Sequence, residues 1–143
     1  MKTVSRLAPL GLVAALVTLA VTGALIARSP VFFALQVMAL AVNLWARASF
    51  PSKSFRVGPV PGGDTFMQRG PYRFVRHPMY SAALLFCWGA IADRPTALNL
   101  AIGVGLIFLV RARVHEEDAL LTARFPGYAD YARTTKGFVP WVM

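Results

Sequence analysis

Four long segments without a charged residue constrain this chain more than any other feature. They cover residues 7–27, 31–46, 78–92 and 95–110. A helix rises about 1.5 Å per residue, so the first segment covers about 30 Å, and the others need flanking residues to cross a bilayer. Of the 143 residues, 57% are hydrophobic and 15% charged, whereas soluble domains have about 25% charged residues. The sequence therefore predicts an all-α integral membrane protein with about four transmembrane helices.

Short polar connections separate these segments in pairs. Residues 28–30 and 93–95 each contain a charged residue and a proline, a composition typical of tight turns. We therefore expect two antiparallel helical hairpins. The first segment is longer than the roughly 7–15 apolar residues of a signal peptide, so we expect it to be retained as a helix.

Basic residues lie almost entirely on one side of the predicted spans. Two precede the first segment, six lie between the second and third, and five follow the fourth, whereas each short connection carries one. By the positive-inside rule, the more basic side is cytoplasmic. We expect a multi-pass protein of the inner or plasma membrane with both termini in the cytoplasm. Membrane insertion and contact with membrane lipids then account for the net charge of +9, and no nucleic-acid partner is expected.

A proline marks the start of the third apolar segment. Because proline is favoured at the first position of a helix, Pro78 predicts a helix start, with His77 near the N-cap and Tyr80 in the first turn. The free N–H groups of such a turn favour an anion such as a carboxylate, and Arg73 and Arg76 would add to the positive field. Tyrosine and arginine also collect at membrane interfaces, so simple anchoring is the alternative.

Three of the six acidic residues of the chain are consecutive, at 116–118. They follow Arg113 on what we predict to be a continuation of the fourth helix beyond the membrane. Arg113 and Glu117 are four residues apart and share a helical face, which is compatible with an ordinary surface ion pair. Alternatively, Glu116 and Glu117 bind a ligand that carries hydroxyl groups or positive charge. Both interpretations can hold together.

The end of the chain predicts a short amphipathic helix. Residues 126–127, Pro-Gly, end the preceding helix, and Tyr128 and Tyr131 share one face of the next. Small residues inside the apolar segments predict close packing instead of chemistry. The Gly-Val-Gly sequence at 103–105 is interpreted as a helix contact, and Cys87 as a small core residue.

Two motifs together resemble a known family. The first is Gly70-Pro71-Tyr72 followed by Arg76-His77-Pro78-Met79-Tyr80, and the second combines Glu116-Glu117 with Phe125 and the two tyrosines. In this order they resemble the isoprenylcysteine carboxyl methyltransferase and phospholipid methyltransferase families over residues 64–140. The resemblance implies a catalytic core within residues 49–143. Together with the hairpin predicted above at 1–48, we expect a single membrane domain, 1–143. The resemblance also implies S-adenosylmethionine as cofactor, in a pocket at the cytoplasmic face.

The resemblance implies roles for individual residues. Cofactor contacts are expected from Asp64, Thr65, Phe66, Met67, Tyr72, His77, Pro78, Met79, Tyr80 and Glu117. Arg113 is expected to face the substrate and to orient a thiolate or carboxylate. An amine or hydroxyl acceptor also needs a proton acceptor, for which Glu116 or His115 is nearest. The expected acceptor is a small apolar or lipid-like molecule such as an isoprenoid carboxylate, a thiol or a lipid, and no metal is expected.

Two other classes of function remain open. A membrane reductase related to sterol reductases has a similar turn and paired tyrosines, but it needs a basic cluster for the extra phosphate of NADPH. A small transporter or non-catalytic membrane protein is the second alternative. A transporter normally keeps an ionisable residue inside a span, and none of the four segments has one. No obligate protein partner is evident from the sequence.

Overall fold

The computed structural model describes residues 2–49 and 66–138, with side chains from residue 7 onward. This part of the chain is all-helical, as predicted. It contains α1 (Lys2–Val21), α2 (Pro30–Ala48), a 3₁₀ turn (Gly70–Arg73), α3 (Pro78–Asp93), α4 (Ala97–Arg124) and α5 (Tyr128–Thr134). Its one β-type pairing is a parallel bridge between Val75 and Lys136.

Two of the helices, α2 and α4, are long and apolar enough to cross a membrane. The apolar part of α1, Leu7–Val21, is shorter, and α3 has 16 residues. The first apolar segment was expected to be helical to residue 27, and this is wrong. The helix ends at Val21 because Gly23 has a φ of 66°, a left-handed conformation that interrupts the helix.

The main helix pairs differ from those that the two predicted hairpins would form. α1 lies mainly along α4, and α2 lies mainly along α3, which also contacts α4. The α2–α3 contact is close at Gly89, where an added Cβ would lie 3.3 Å from the Phe32 carbonyl oxygen. At Gly103 of α4 it would lie 2.9 Å from Ile91, so this glycine packs as expected, whereas at Gly105 it would meet open space. Cys87 is buried, as predicted.

A buried glutamine holds the chain where it leaves α1. Backbone groups that leave a helix in an apolar environment need other hydrogen-bond partners. Gln36 of α2, which is 2% exposed, supplies them: its Oε1 accepts from the Ala27 N–H at 2.9 Å, and its Nε2 donates to the Leu25 carbonyl at 2.8 Å. Nε2 also lies 3.3 Å from the Phe86 carbonyl of α3. One side chain therefore fixes the α1–α2 connection against α3.

The two short connections meet at the same end of the helices. The Asp93 carboxylate at the end of α3 accepts from the backbone N–H groups of Arg28 and Ser29, at 2.8 and 2.9 Å. The Arg94 side chain donates to the carbonyl of Gly23. The opposite end carries the 3₁₀ turn and α5 and is called the site end below.

Helix α4 connects the apolar part of the structure with the site end. Thr96 caps its start by accepting from the Asn99 N–H at 3.2 Å. The helix then continues for 28 residues without a break, about 42 Å at the usual rise per residue. The prediction that the acidic residues continue the fourth helix is confirmed, and α4 delivers them beside the start of α3.

Candidate functional site

The start of α3 is built as the sequence predicts. His77 is the N-cap residue and Pro78 occupies the first turn, where its missing N–H costs no helical hydrogen bond. His77 and Pro78 are buried, while Tyr80 in the same turn is half-buried. The Ser81 hydroxyl donates to the His77 carbonyl at 3.1 Å. The first turn of α3 therefore presents the Tyr80 side chain toward α4.

Tyr80 joins two charged side chains of α4. Its hydroxyl donates to Glu117 Oε2 at 3.0 Å and accepts from Arg113 Nε at 3.1 Å. Arg113 Nε lies 3.9 Å from Glu117 Oε2, which confirms the predicted i,i+4 pair. The Arg113 side chain is 6% exposed and that of Glu117 is 25% exposed. A buried cation and a partly accessible carboxylate therefore share one tyrosine hydroxyl, an arrangement called the Tyr80 cluster below.

Asp118, the third acidic residue of the run, is the centre of a second network. Its Oδ1 lies 2.7 Å from His77 Nε2 and also accepts from the Tyr128 hydroxyl, while its Oδ2 lies 3.3 Å from an Arg76 nitrogen. Sequence analysis gave Asp118 no role in the site. Its position offered a signal, because Asp118 follows the buried Val114 by four residues and so continues an apolar stripe of α4.

Arg76 makes contacts at the end of α5 that the sequence did not predict. The sequence predicted that it would add positive charge at the start of α3. Its guanidinium pairs with Asp118 and also donates to the carbonyls of Ala132, at 2.6 Å, and Thr135. These carbonyls lie at the end of α5, where a helix lacks partners for its last carbonyls and favours a cation. Arg76 therefore caps α5, and its contribution to the positive field at the start of α3 stays a prediction.

Helix α5 packs onto the loop that precedes α3 through aromatic rings. The Phe66 ring centroid lies 5.3 Å from those of Tyr128 and Tyr131 and 5.8 Å from that of Phe125. The Tyr131 hydroxyl donates to the Tyr72 carbonyl. Phe66 and Tyr72, both expected to contact a cofactor, are therefore held in place by α5.

Burial raises the pKa of three tyrosines of this region above the ordinary value. It raises the pKa of Tyr131 from 10.0 to about 12. It also raises the pKa of Tyr72 and of Tyr128, in each case together with a nearby carboxylate, Glu117 for the first and Asp118 for the second. These hydroxyl groups therefore remain hydrogen-bond donors at all physiological pH values.

Comparison with known proteins decides the family. Residues 33–125 match the sequence model of the phospholipid methyltransferase family. The chain belongs to the phospholipid methyltransferase family. The match begins in α2 and ends just before α5, so it contains the whole Tyr80 cluster and Asp118. Family membership and the two apolar helices support association with a membrane.

Two curated proteins are similar to this family member. It is 33% identical over 78 residues to the cobalt-zinc-cadmium resistance protein CzcN of Cupriavidus metallidurans, covering 54% of this chain and 36% of that protein. It is 36% identical over 73 residues to the nickel-cobalt-cadmium resistance protein NccN of Alcaligenes xylosoxydans xylosoxydans, covering 50% and 34%. The matches therefore span about a third of the length of these relatives. No solved structure matches the chain.

The structure brings together only some of the residues that family resemblance assigned to the site. His77 and Tyr80 have ring centroids 5.9 Å apart, and Tyr80 contacts Glu117 and Arg113. Met67, in the loop before the 3₁₀ turn, and Met79, in the first turn of α3, are both half-buried. Asp64 and Thr65 lie outside the described residues, and their roles stay predictions.

Glu116 differs from its neighbours in the acidic run. It lies two helical turns beyond Leu109, a residue of α4 that packs against Gly11 of α1. Its Oε2 is buried and has no hydrogen-bond partner among the described residues. His115, the other predicted proton acceptor, is exposed. The catalytic role of Glu116 stays a prediction.

An apolar groove lies away from the Tyr80 cluster, between α1 and α4. It has a volume of about 290 Å³ and is lined by small and aliphatic residues between Gly11 and Thr18 on α1 and between Ile102 and Leu109 on α4. This groove is not the cofactor pocket expected at the site end, and that pocket stays a prediction.

Proposed function

We propose that this protein transfers a methyl group from S-adenosylmethionine to a small apolar or lipid-like acceptor at the membrane surface. The observation that carries the proposal is the Tyr80 cluster. It combines a partly accessible carboxylate, an aromatic hydroxyl and a buried guanidinium at the end of a long apolar helix. The cluster lies within the part of the chain that matches the methyltransferase family.

The residues present fit the chemistry of this cofactor. S-adenosylmethionine carries a sulfonium, an ammonium, a carboxylate and a ribose diol, and when bound it supplies an electrophilic methyl group. Glu117 would bind the ammonium or the diol, because its carboxylate is partly exposed and Tyr80 occupies only part of its acceptor capacity. The rings of Tyr72 and Tyr80 suit a neighbouring cation. The loop at Asp64, Thr65, Phe66 and Met67 and the helix start at His77, Pro78 and Met79 would complete the site.

Arg113 would hold the acceptor. Its guanidinium is buried, so an anionic group of the acceptor would be bound in an environment that strengthens the attraction. A thiolate or carboxylate needs only this orientation, because methyl transfer is an in-line displacement that depends on positioning. For an amine or hydroxyl acceptor, Glu116 would take the proton. Its buried Oε2, which has no hydrogen-bond partner within residues 2–49 and 66–138, is compatible with that role.

The proposal includes a topology. α1 and α3 would cross the membrane together with α2 and α4, which places both termini and the site end on the cytoplasmic side, as the distribution of basic residues requires. The acceptor would reach the site from the surrounding lipid, and no nucleic acid or obligate protein partner is needed. Residues 1–48 and 49–143 would form one domain.

The names of the two relatives refer to resistance to metal ions. Within residues 2–49 and 66–138, no group of three or more histidine, cysteine, aspartate or glutamate side chains could hold a metal ion. Resistance to metal ions is stated of those two proteins, and for this chain we propose methyl transfer without a metal.

Calorimetric titration of the detergent-purified protein tests the proposal. S-adenosylmethionine should bind saturably, and Glu117→Gln should weaken binding by about tenfold, because a hydrogen bond or ion pair to a charged group contributes about 1.5 kcal/mol or more. Asp130→Asn is the matched control, since that carboxylate is exposed and pairs with Arg133 at the surface of α5. Titration of NADPH runs in parallel.

Each outcome has a defined meaning. Saturable binding of S-adenosylmethionine that Glu117→Gln weakens and Asp130→Asn preserves would support the methyltransferase site. Binding of NADPH in its place would refute the proposal and favour a reductase. Failure of a folded protein to bind either ligand would refute it in favour of a non-catalytic membrane protein.

A further inference from the structure

We propose that Asp118 is a positioning residue, which holds His77 and the start of α3 in the geometry that the Tyr80 cluster needs. This inference rests on the proposed function. Asp118 contacts three structural elements at once: Arg76 in the loop before α3, His77 at the N-cap of α3, and Tyr128 at the start of α5. One side chain of α4 therefore ties together the loop before α3, the start of α3 and the start of α5.

The chemistry of this network is specific. An ionised carboxylate only accepts hydrogen bonds, so the proton shared with Asp118 belongs to Nε2 of His77. The imidazole is thereby oriented, because its side chain is 4% exposed and one nitrogen is anchored. Oδ2 of the same carboxylate pairs with Arg76, which is itself bound to the end of α5. Asparagine in place of Asp118 would lose both the charge and one acceptor.

The network reaches the Tyr80 cluster through His77. The His77 and Tyr80 rings lie 5.9 Å apart in the first turn of α3, and Tyr80 bonds Glu117. Backbone pairing reinforces the same junction, because the N–H groups of Arg76 and His77 donate to residues 136 and 137 at 2.8 and 3.2 Å. Two consecutive acidic residues of α4 therefore have different tasks: Glu117 faces the ligand, and Asp118 fixes the loop and helix that carry the other ligand contacts.

Substitution of the two acidic residues separates these tasks. We expect Asp118→Asn to weaken S-adenosylmethionine binding by about tenfold, since it removes a hydrogen bond to a charged group without removing a ligand contact. Asp118→Glu, which keeps the carboxylate, should restore part of the affinity. Where Asp118→Asn fails to fold, Tyr128→Phe removes one contact of the same carboxylate and takes its place in the measurements.

The state of the His77 ring distinguishes positioning from general destabilisation. The chain has two histidines, so selective ¹⁵N-histidine labelling gives two imidazole spin systems, and His115→Gln identifies that of His77. In the wild type, Nε2 should carry a proton, because it faces the Asp118 carboxylate at 2.7 Å. Asp118→Asn should shift the His77 signals. Glu117→Gln should weaken S-adenosylmethionine binding and leave the His77 signals unchanged.

Three results would overturn the inference. The first is wild-type affinity for S-adenosylmethionine in folded Asp118→Asn. The second is lost affinity with unchanged His77 signals, which would make the effect general instead of local. The third is a wild-type protein that does not bind S-adenosylmethionine, which would refute the proposed function as well. Normal binding by Glu117→Gln with weakened binding by Asp118→Asn would refute only the ligand role of Glu117.

Discussion

Gly70 begins the 3₁₀ turn that carries Tyr72, and replacing it with alanine should displace that turn. Its φ is 59°, a conformation that costs an L-residue about 1–2 kcal/mol. An added Cβ would also overlap the Ser49 hydroxyl oxygen at the end of α2 and lie 3.1 Å from the Ser49 Cβ. Relieving that overlap costs about 1 kcal/mol more. We therefore expect Gly70→Ala to lower the free energy of unfolding by about 2–3 kcal/mol.

A second substitution separates the two contributions to this cost. Ser49→Ala removes the hydroxyl that would overlap, and alone it should cost a few tenths of a kcal/mol, because its exposed hydrogen bond to the Trp45 carbonyl is lost. In the double variant the backbone strain at residue 70 remains, so about 1–2 kcal/mol of destabilisation should persist. The coupling energy between the two substitutions is then about −1 kcal/mol.

Unfolding of the four proteins in mixed detergent micelles, followed by circular dichroism, measures these differences. S-adenosylmethionine affinity should fall in Gly70→Ala and recover partly in the double variant, because Tyr72 returns toward its position. Additive effects of the two substitutions, or a stable and ligand-competent Gly70→Ala, would show that the contact between the 3₁₀ turn and α2 does not position the loop.

Two further predictions concern the site end. Arg113→Ala should lower turnover by about 100-fold, while the dissociation constant of S-adenosylmethionine stays within about threefold of the wild-type value. The exposed Arg133→Ala is the control. Equal losses in turnover and affinity would contradict the substrate role of Arg113. Because burial raises the pKa of Tyr131 from 10.0 to about 12, roughly one in ten of these side chains should be ionised at pH 11 in the folded protein, against roughly nine in ten after unfolding. Stability should therefore fall as the pH rises from 10 to 12, and tyrosinate absorbance in the folded protein at pH 11 that already equals the unfolded value would refute this burial.

Local features of the sequence were sufficient to predict several parts of this structure. The backbone restrictions of proline and glycine predict three of them: the start of α3 at Pro78, the end of α4 before residues 126–127, and the short final helix. The Arg113–Glu117 pair follows from helical periodicity. In each case the interacting groups are within four residues of one another, so a helix alone brings them together.

Other features depended on contacts between distant parts of the chain. The early end of α1 was not predicted, because the glutamine that binds the freed backbone groups lies on the next helix. The pairing of α1 with α4 was likewise not predicted, because the composition of an apolar helix does not identify its neighbour. The cofactor contacts expected of Asp64 and Thr65 stay predictions, because both residues lie outside the described ranges.

The sequence by itself determined the membrane character of this protein, the start of α3, the end of α4 and the motifs that place it in a methyltransferase family. Only the tertiary structure decided which charges face one another. Arg76 and Asp118 are 42 residues apart in sequence, and their pairing requires the loop before α3 to pack against α4. A guanidinium and a carboxylate each have several possible partners in the chain, and only the packing of the surrounding apolar and aromatic side chains selects one.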